Sequence, residues 1–319
     1  MSQRLLIALG AGLVAAVVFA SATTGPLLMR MILFLLTSLP LFLAGLGAGP
    51  LAAAVAGIAG TVLVFVAGSP MAALLFAASQ AIPVALLTYL AQLNRQTADG
   101  DVEWYPVGRL VIGAGLLAAA FSTLTLFLLG GDAETLRNAL RDMLQGFVTA
   151  ELQNMPDAPA LGPEDVEAAA DIAFRLLPAA SAISTMGTLL FNMWLAGRIT
   201  LASGHLARPW PDIPAMSFPP TTPLMLAAAT GAGFLAGLPG LVAAAFAGAL
   251  FFAYVLLGLA VVHYITRGLS WRPFALWGLY AALLIMNTLA TVGIALLGLA
   301  ETIWPLRKPP PGPPNPPPS

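Results

Sequence analysis

Long apolar runs separated by short polar turns make up most of the chain. The runs cover residues 5–20, 27–46, 51–67, 71–93, 109–129, 172–201, 223–238, 241–265 and 274–299. Most contain about 20 residues, which at about 1.5 Å of rise per residue match a hydrocarbon core about 30 Å thick. The pattern predicts an all-α polytopic bundle of about nine membrane helices. Residues 223–238 are short for a crossing and also fit a tilted or re-entrant segment, which would leave about eight crossings.

Small residues recur every fourth position in the first run, at Ala8, Gly12, Ala16 and Ala20. This spacing places them on one face of a helix, where a neighbouring backbone can approach closely. The run also resembles a secretory signal that ends in small residues, but polytopic proteins commonly begin with an uncleaved helix, which we favour. Helix packing is also the expected role of two G-x-x-x-G pairs. These pairs are Gly45 with Gly49, and Gly233 with Gly237.

Residues 130–171 form the only long polar segment. Apolar residues recur at helical spacing after Asp132, a predicted N-cap, so an amphipathic helix is expected over 132–152. Those apolar residues are Leu136, Leu140, Met143, Leu144, Phe147 and Val148. A second helix should begin at Pro163 and continue into the run 172–201, with a kink at Pro178. Because the first helix is acidic, we favour a cap on the outer mouth of the bundle over a helix lying flat on the membrane.

Proline-rich stretches divide the rest of the chain. Proline at the density of residues 203–222 prevents helix formation, and the final residues should form an extended, disordered tail. The predicted organisation is a six-helix membrane bundle over 1–202 that includes segment 130–171, a loop over 203–222, C-terminal membrane helices over 223–304 and a tail over 305–319.

The composition supports a lipid environment. The chain is 59% hydrophobic and 8% charged, whereas soluble domains carry about 25% charged residues. A net charge of −1 argues against a nucleic-acid partner. Arginine in the short loops favours a cytoplasmic N-terminus in a bacterial inner membrane. If the chain crosses the membrane nine times, the basic tail lies outside the cell. If it crosses eight times, the tail lies in the cytoplasm, but Arg267 and Arg272 then lie outside.

Catalytic motifs are missing from the sequence. It contains no HExxH zinc motif, no nucleotide-phosphate loop and no GxSxG elbow, and cysteine is absent. We therefore expect no enzyme activity, no cofactor and no metal. No span carries an acidic residue near its middle, which argues against a proton-driven pump.

Neutral polar residues within the spans are the candidate ligand contacts. Asn192 and Asn287 lie inside helices, where a hydrogen bond to another helix is the alternative role. His263 closes the eighth run, where an interfacial anchor is the alternative.

Two short motifs resemble the YybS-like family of predicted bacterial membrane proteins. They are LFNMWLAGR at residues 190–198 and GLAETIWPLRK at residues 298–308. The first six helices are in turn similar to the substrate-binding subunits of energy-coupling-factor vitamin transporters. That similarity implies a membrane-protein partner docked on the small residues of the first helix. This chain departs from that pattern by adding helices after Thr222.

The leading hypothesis is a membrane protein that binds, or helps to transport, a small solute or lipid-like molecule without its own ATPase. The alternative is a non-catalytic scaffold or assembly factor that acts through the acidic segment and the proline-rich tail. The expected partners are the lipid bilayer, a membrane protein and a small-molecule ligand. A cavity bordered by the sixth span favours the first hypothesis, and a solid core of small residues favours the second.

Overall fold

The computed structural model describes residues 3–22, 26–128 and 162–307, together with 132, 134–139, 141–142 and 145–146. Its helices are α1 Gln3–Ser21, α2 Leu27–Leu36, α3 Leu39–Ala48, α4 Pro50–Ala67, α5 Pro70–Phe76, α6 Ile82–Gln92, α7 Val107–Leu128, α8 Pro163–Ala202, α9 Thr222–Ala232, α10 Leu238–Ile265, α11 Arg272–Ile285 and α12 Thr288–Ile303. A short hairpin between α6 and α7 pairs β1 Asn94–Gln96 with β2 Val102–Trp104. The hairpin was not predicted. Outside it, the described residues are helices and connecting loops.

Seven helical stretches are long and apolar enough to cross a membrane, by length and composition, among the described residues. They are α1, α2 with α3, α4, α5 with α6, α7, α8 and α10. The predicted polytopic helical bundle is therefore confirmed. The helix predicted from Pro163 does run continuously through Pro178 to Ala202.

Two of the long stretches are irregular beside a proline. The second is interrupted at the buried residues Thr37 and Ser38, just before Pro40. The fourth contains a π-helical turn at Ala77–Ala81, two residues before Pro83. Proline cannot donate a backbone hydrogen bond and clashes with the preceding turn, so the helix adjusts next to it.

Small residues determine how closely these helices pack. Ala8, Gly12 and Ala16 are buried on α1, and a Cβ on Gly12 would collide with the carbonyl oxygen of Ala56 on α4. A Cβ on Gly45 would lie 2.6 Å from the Thr88 side chain on α6. Ala20, the fourth residue of the predicted face, is exposed.

Three of the predicted packing glycines occupy turns instead. Gly49 separates α3 from α4 with φ +106°, and Gly237 precedes α10 with φ +73°; both angles favour glycine. Gly233 lies just past the last residue of α9. The G-x-x-x-G spacing therefore gives a contact between helices at Gly45 but at none of these three.

The two ends of the bundle differ in charge. At one end, Leu126 of α7, Leu136, Phe174 of α8 and Leu241 of α10 form a hydrophobic cluster, and we call this the segment end. The opposite, arginine-rich end holds the hairpin, residues 203–221 and the ends of α8 and α10.

Residues 222–238 connect these two ends. The preceding loop packs on Gly108 at the start of α7, where a Cβ would collide with the Ser217 carbonyl oxygen. Leu241, by contrast, belongs to the cluster at the segment end. Helix α9 and the turn after it therefore traverse the bundle, although α9 alone is too short to do so. Together with the seven long stretches, the described chain therefore runs eight times between the two ends of the bundle.

The structure corrects the prediction of one continuous last helix over residues 274–299. The helix is interrupted at Asn287, whose φ of +29° is the one positive value of a non-glycine residue among those described. Arg307, just after α12, lies over the ring of Tyr264 in the last turn of α10, 5.6 Å from its centroid. Helices α10 and α12 thus end together, and α11 starts beside them after a short loop. Helices α11 and α12 form a hairpin that enters and leaves at the arginine-rich end.

Candidate functional site

A cavity of about 470 Å³ lies at the arginine-rich end. Its walls come from α3, α6, α7, α8 and α10, and residues 203–221, which we call the proline loop, close one side. The helical lining is Leu46, Ala91, Gln92, Val107, Leu110, Val111, Leu190, Met193, Trp194, Gly197, Leu256, Leu259, Ala260 and His263. Most of these side chains are apolar.

Helices α8 and α10 line the cavity with matching stripes. On α8 the stripe is Leu190, Met193, Trp194 and Gly197, and on α10 it is Leu256, Leu259, Ala260 and His263. Both follow the spacing i, i+3, i+4 and i+7, which places side chains on one helix face. The α8 stripe lies within the motif at residues 190–198, so the cavity gives that motif a structural role.

Few polar groups reach the cavity wall. The Gln92 amide donates to the Gly45 carbonyl at 2.7 Å, and the Arg208 guanidinium donates to the Ala91 carbonyl at 3.3 Å. His263 Nε2 lies 2.9 Å from the Tyr280 hydroxyl of α11. Arg208 forms no ion pair with any described carboxylate, and its partial burial lowers its pKa below the usual range.

Three further arginines, on α8 and just after α10 and α12, contact the proline loop. Arg198 of α8 lies over the Trp210 ring, 5.2 Å from its centroid. Arg267 makes a two-pronged pair with Asp212, one bond of which is 2.7 Å long. Arg307 donates to the carbonyls of Pro214 at 2.7 Å and Met216 at 2.8 Å. The hydrogen bonds between these two side chains lower the pKa of Asp212 below its usual range and raise the pKa of Arg267.

The last of these arginines belongs to a buried ion pair. Arg307 Nε lies 2.9 Å from a Glu301 carboxylate oxygen, and the side chains are 9% and 7% exposed. The other Glu301 oxygen accepts from the Leu306 backbone at 2.8 Å. Glu301 and Arg307 are the acidic residue and a basic residue of the motif at residues 298–308. They thus pair with each other and hold the proline loop in place. Sequence analysis missed this role because the carbonyl partners lie about 90 residues away.

A second cavity, of about 480 Å³, adjoins the first. The two share part of the proline loop and one α8 residue as a common wall, namely Trp194, Trp210, Pro211, Ile213 and Pro214. Arg198 and Asp212 line only the second cavity. The wall therefore separates an apolar space from a more polar one.

The three predicted ligand residues do not come together. Asn192 is fully buried away from the cavity lining, and its amide donates to the carbonyls of Leu35 at 2.6 Å and Thr188 at 2.8 Å. Asn287 is exposed at the interruption between α11 and α12. Of the three, only His263 lines the cavity. The geometry at Asn192 matches the alternative role of bonding between helices.

The predicted partner surfaces can be placed only in part. Gly12 lies against α4 of the same chain and Ala8 and Ala16 are buried, so docking of a partner there stays a prediction. In the acidic segment, Asp132 accepts from the Thr135 backbone at 2.7 Å, as an N-cap does. Arg137 and Arg141 pair with Asp171 and Glu167 of α8 at 3.0 and 2.6 Å. The remaining predicted apolar positions of that helix, Leu140, Met143, Leu144, Phe147 and Val148, and residues 308–319 of the tail, lie outside the described residues.

Comparison with known proteins identifies a family without a described activity. A family model described as "Predicted membrane protein (DUF2232)" matches residues 13–302. No curated protein and no solved structure matches the chain. In the part of the chain that the structure describes, histidine and carboxylate side chains form no group of three that could hold a metal ion. The expectation that the protein needs no cofactor stays a prediction.

Proposed function

We propose, from the premise that the chain belongs to the DUF2232 family of predicted membrane proteins, that this membrane protein binds a small, mainly apolar molecule in the cavity between α8 and α10. The family match is consistent with the resemblance to YybS-like proteins. The observation that carries the proposal is the cavity itself, which the sixth predicted span borders with four residues of one face.

The size and the lining of the cavity support this proposal. Small-molecule sites in proteins commonly enclose about 300–1,000 Å³ and combine apolar walls with a few placed polar groups. The cavity falls in that range and offers Gln92, Arg208 and His263 among apolar side chains. The sequence contains no nucleotide-phosphate loop, so any transport would draw its energy from another subunit or from a gradient.

Filling the cavity tests the proposal. We expect Met193→Trp to abolish the thermal stabilisation that hexadecan-1-ol gives the wild-type protein, because the indole would occupy the apolar space. Ile199→Trp is the matched control, since Ile199 lies on the same helix, outside the lining, and is 42% exposed. The measurement is the melting temperature of the purified chain in a neutral detergent, with native mass spectrometry to count bound molecules.

Equal binding of hexadecan-1-ol by the wild type and both variants contradicts a cavity site. No binding by any of the three also contradicts it and favours the scaffold hypothesis. Loss of binding in both variants contradicts the assignment to the α8 stripe.

The orientation that we propose places the arginine-rich end in the cytoplasm of a bacterial inner membrane. That end carries Arg4, Arg95, Arg109, Arg198, Arg208, Arg267, Arg272 and Arg307, and the segment end carries Arg30, Arg137, Arg141 and Arg175. Basic residues near short loops concentrate on the cytoplasmic side. With eight traverses and a terminal hairpin, Gln3 and Arg307 both lie at that end, so Arg307 falls on the same side as Arg267 and Arg272.

Cysteine labelling tests this orientation in a chain that contains no cysteine of its own. We expect Glu164→Cys to react with a membrane-impermeant maleimide in intact cells. Asp99→Cys, Leu269→Cys and Leu306→Cys should react only after the cells are permeabilised. Labelling of Leu306→Cys but not Leu269→Cys in intact cells would instead support a last helix that crosses the membrane.

A further inference from the structure

Two arginines flank the wall that separates the two cavities, and neither pairs with a carboxylate in the described residues. Arg208 lines the apolar cavity, and one of its nitrogens donates to the Ala91 carbonyl. Arg198 lines the adjoining cavity, with its guanidinium over the Trp210 ring. Each guanidinium carries five N–H donors, so both keep donors for a further acceptor.

Three acidic groups at this end already pair with arginines, and Asp99 and Asp101, in the hairpin turn, line neither cavity. Glu103 pairs with Arg95 at 2.7 Å, and Glu301 pairs with Arg307 at 2.9 Å. Asp212, the one carboxylate in the lining of either cavity, is engaged on both oxygens by Arg267. Among the described residues, the two cavities are therefore left with an excess of positive charge.

We propose that the ligand is an amphipathic anion, with an apolar chain in the first cavity and a carboxylate or phosphate head bound by Arg208, while Arg198 on the other side of Trp210 adds positive charge. This inference rests on the proposed function, because it assigns a ligand class to the same cavity. The apolar stripes of α8 and α10 match a hydrocarbon chain, and a guanidinium with free N–H donors matches an anionic head. Basic pockets between membrane helices bind anionic head groups by the same chemistry.

A comparison of head groups on one chain length tests the inference. The probes are hexadecanoate, hexadecyl phosphate, hexadecan-1-ol and inorganic phosphate, added to the full chain in a neutral detergent and measured by native mass spectrometry and isothermal titration. We expect at least one of the two anions to bind about tenfold more tightly than the alcohol, as a hydrogen bond to a charged group provides. Their relative affinity separates a carboxylate from a phosphate head, and inorganic phosphate alone should not bind measurably.

Variants assign the preference to the two arginines. In Arg208→Gln, and more strongly in the double variant with Arg198→Gln, the anion should lose its higher affinity over the alcohol. Both variants should bind the alcohol as the wild type does, which shows that the cavity is intact. Arg208→Lys should keep most of the advantage. Arg95→Gln is the control, because it removes an arginine at the same end that lines neither cavity.

The outcomes separate the two proposals. Equal binding of anions and alcohol by the wild type overturns the anionic head and leaves the apolar site in place. Absence of binding by every alkyl probe overturns both. Tight binding of inorganic phosphate alone, or an anion preference that survives loss of both arginines, overturns the amphipathic assignment.

Discussion

Arg307→Ala should destabilise the protein by about 3–5 kcal/mol, the usual cost of breaking a buried ion pair from one side. The Glu301 carboxylate would stay buried with one backbone donor, and the carbonyls of Pro214 and Met216 would lose their partner. We therefore expect the proline loop to loosen as well. The measurements are the melting temperature of the purified protein and the rate of hydrogen exchange in residues 203–221.

Arg95→Ala is the control for this prediction. Arg95 and Glu103 also form an ion pair, but their side chains are 77% and 47% exposed, and exposed pairs contribute about 0–1 kcal/mol. A second variant, Arg307→Met with Glu301→Leu, removes both charges and should recover part of the lost stability. The prediction is wrong if Arg307→Ala has the same melting temperature as Arg95→Ala and its proline loop exchanges hydrogen at the wild-type rate. The buried pair would then not hold the loop.

Gly298→Leu should separate α12 from α10 and lower stability by roughly 3 kcal/mol, the upper part of the range for overpacking a close contact. A Cβ on Gly258 would collide with the Ile294 carbonyl oxygen, and a Cβ on Gly298 would collide with that of Tyr254. Backbone atoms meet backbone atoms at this crossing, so no side-chain rotation can make room. The measurement is the melting temperature, which should fall by at least about 5 °C.

Gly293→Leu provides the comparison on the same helix. Gly293 is exposed, and a Cβ there would have no neighbour within 4 Å. Leucine also favours helix over glycine, so this variant should melt at or above the wild-type temperature. Equal destabilisation by the two leucines would mean that bulk on α12, not the crossing with α10, causes the effect.

The two largest predictions both concern the motif at residues 298–308. Its glycine forms the backbone crossing with α10, and its acidic and basic residues form the buried pair that holds the proline loop. Because the same loop closes both cavities, the motif at the end of the chain helps to shape the candidate site.

The sequence by itself determined the class of structure and most of its boundaries. Apolar runs of membrane length, ended by glycine and proline, predicted the seven long stretches, and the density of proline predicted the loop after α8. These features are local, because each backbone must satisfy its own hydrogen bonds in lipid and proline prevents a helix wherever it is dense.

Only the tertiary structure decided which helix faces line the cavity and which face the lipid. Lipid and protein interior are both apolar, so hydrophobicity does not distinguish the cavity stripes of α8 and α10 from their lipid-facing sides. For the same reason Asn192 fitted both a ligand role and a bond between helices until its neighbours were known. Arg307 bonds to the carbonyls of Pro214 and Met216, and Arg208 bonds to that of Ala91. These groups lie far apart in the chain, and local pattern carries no information about such distances.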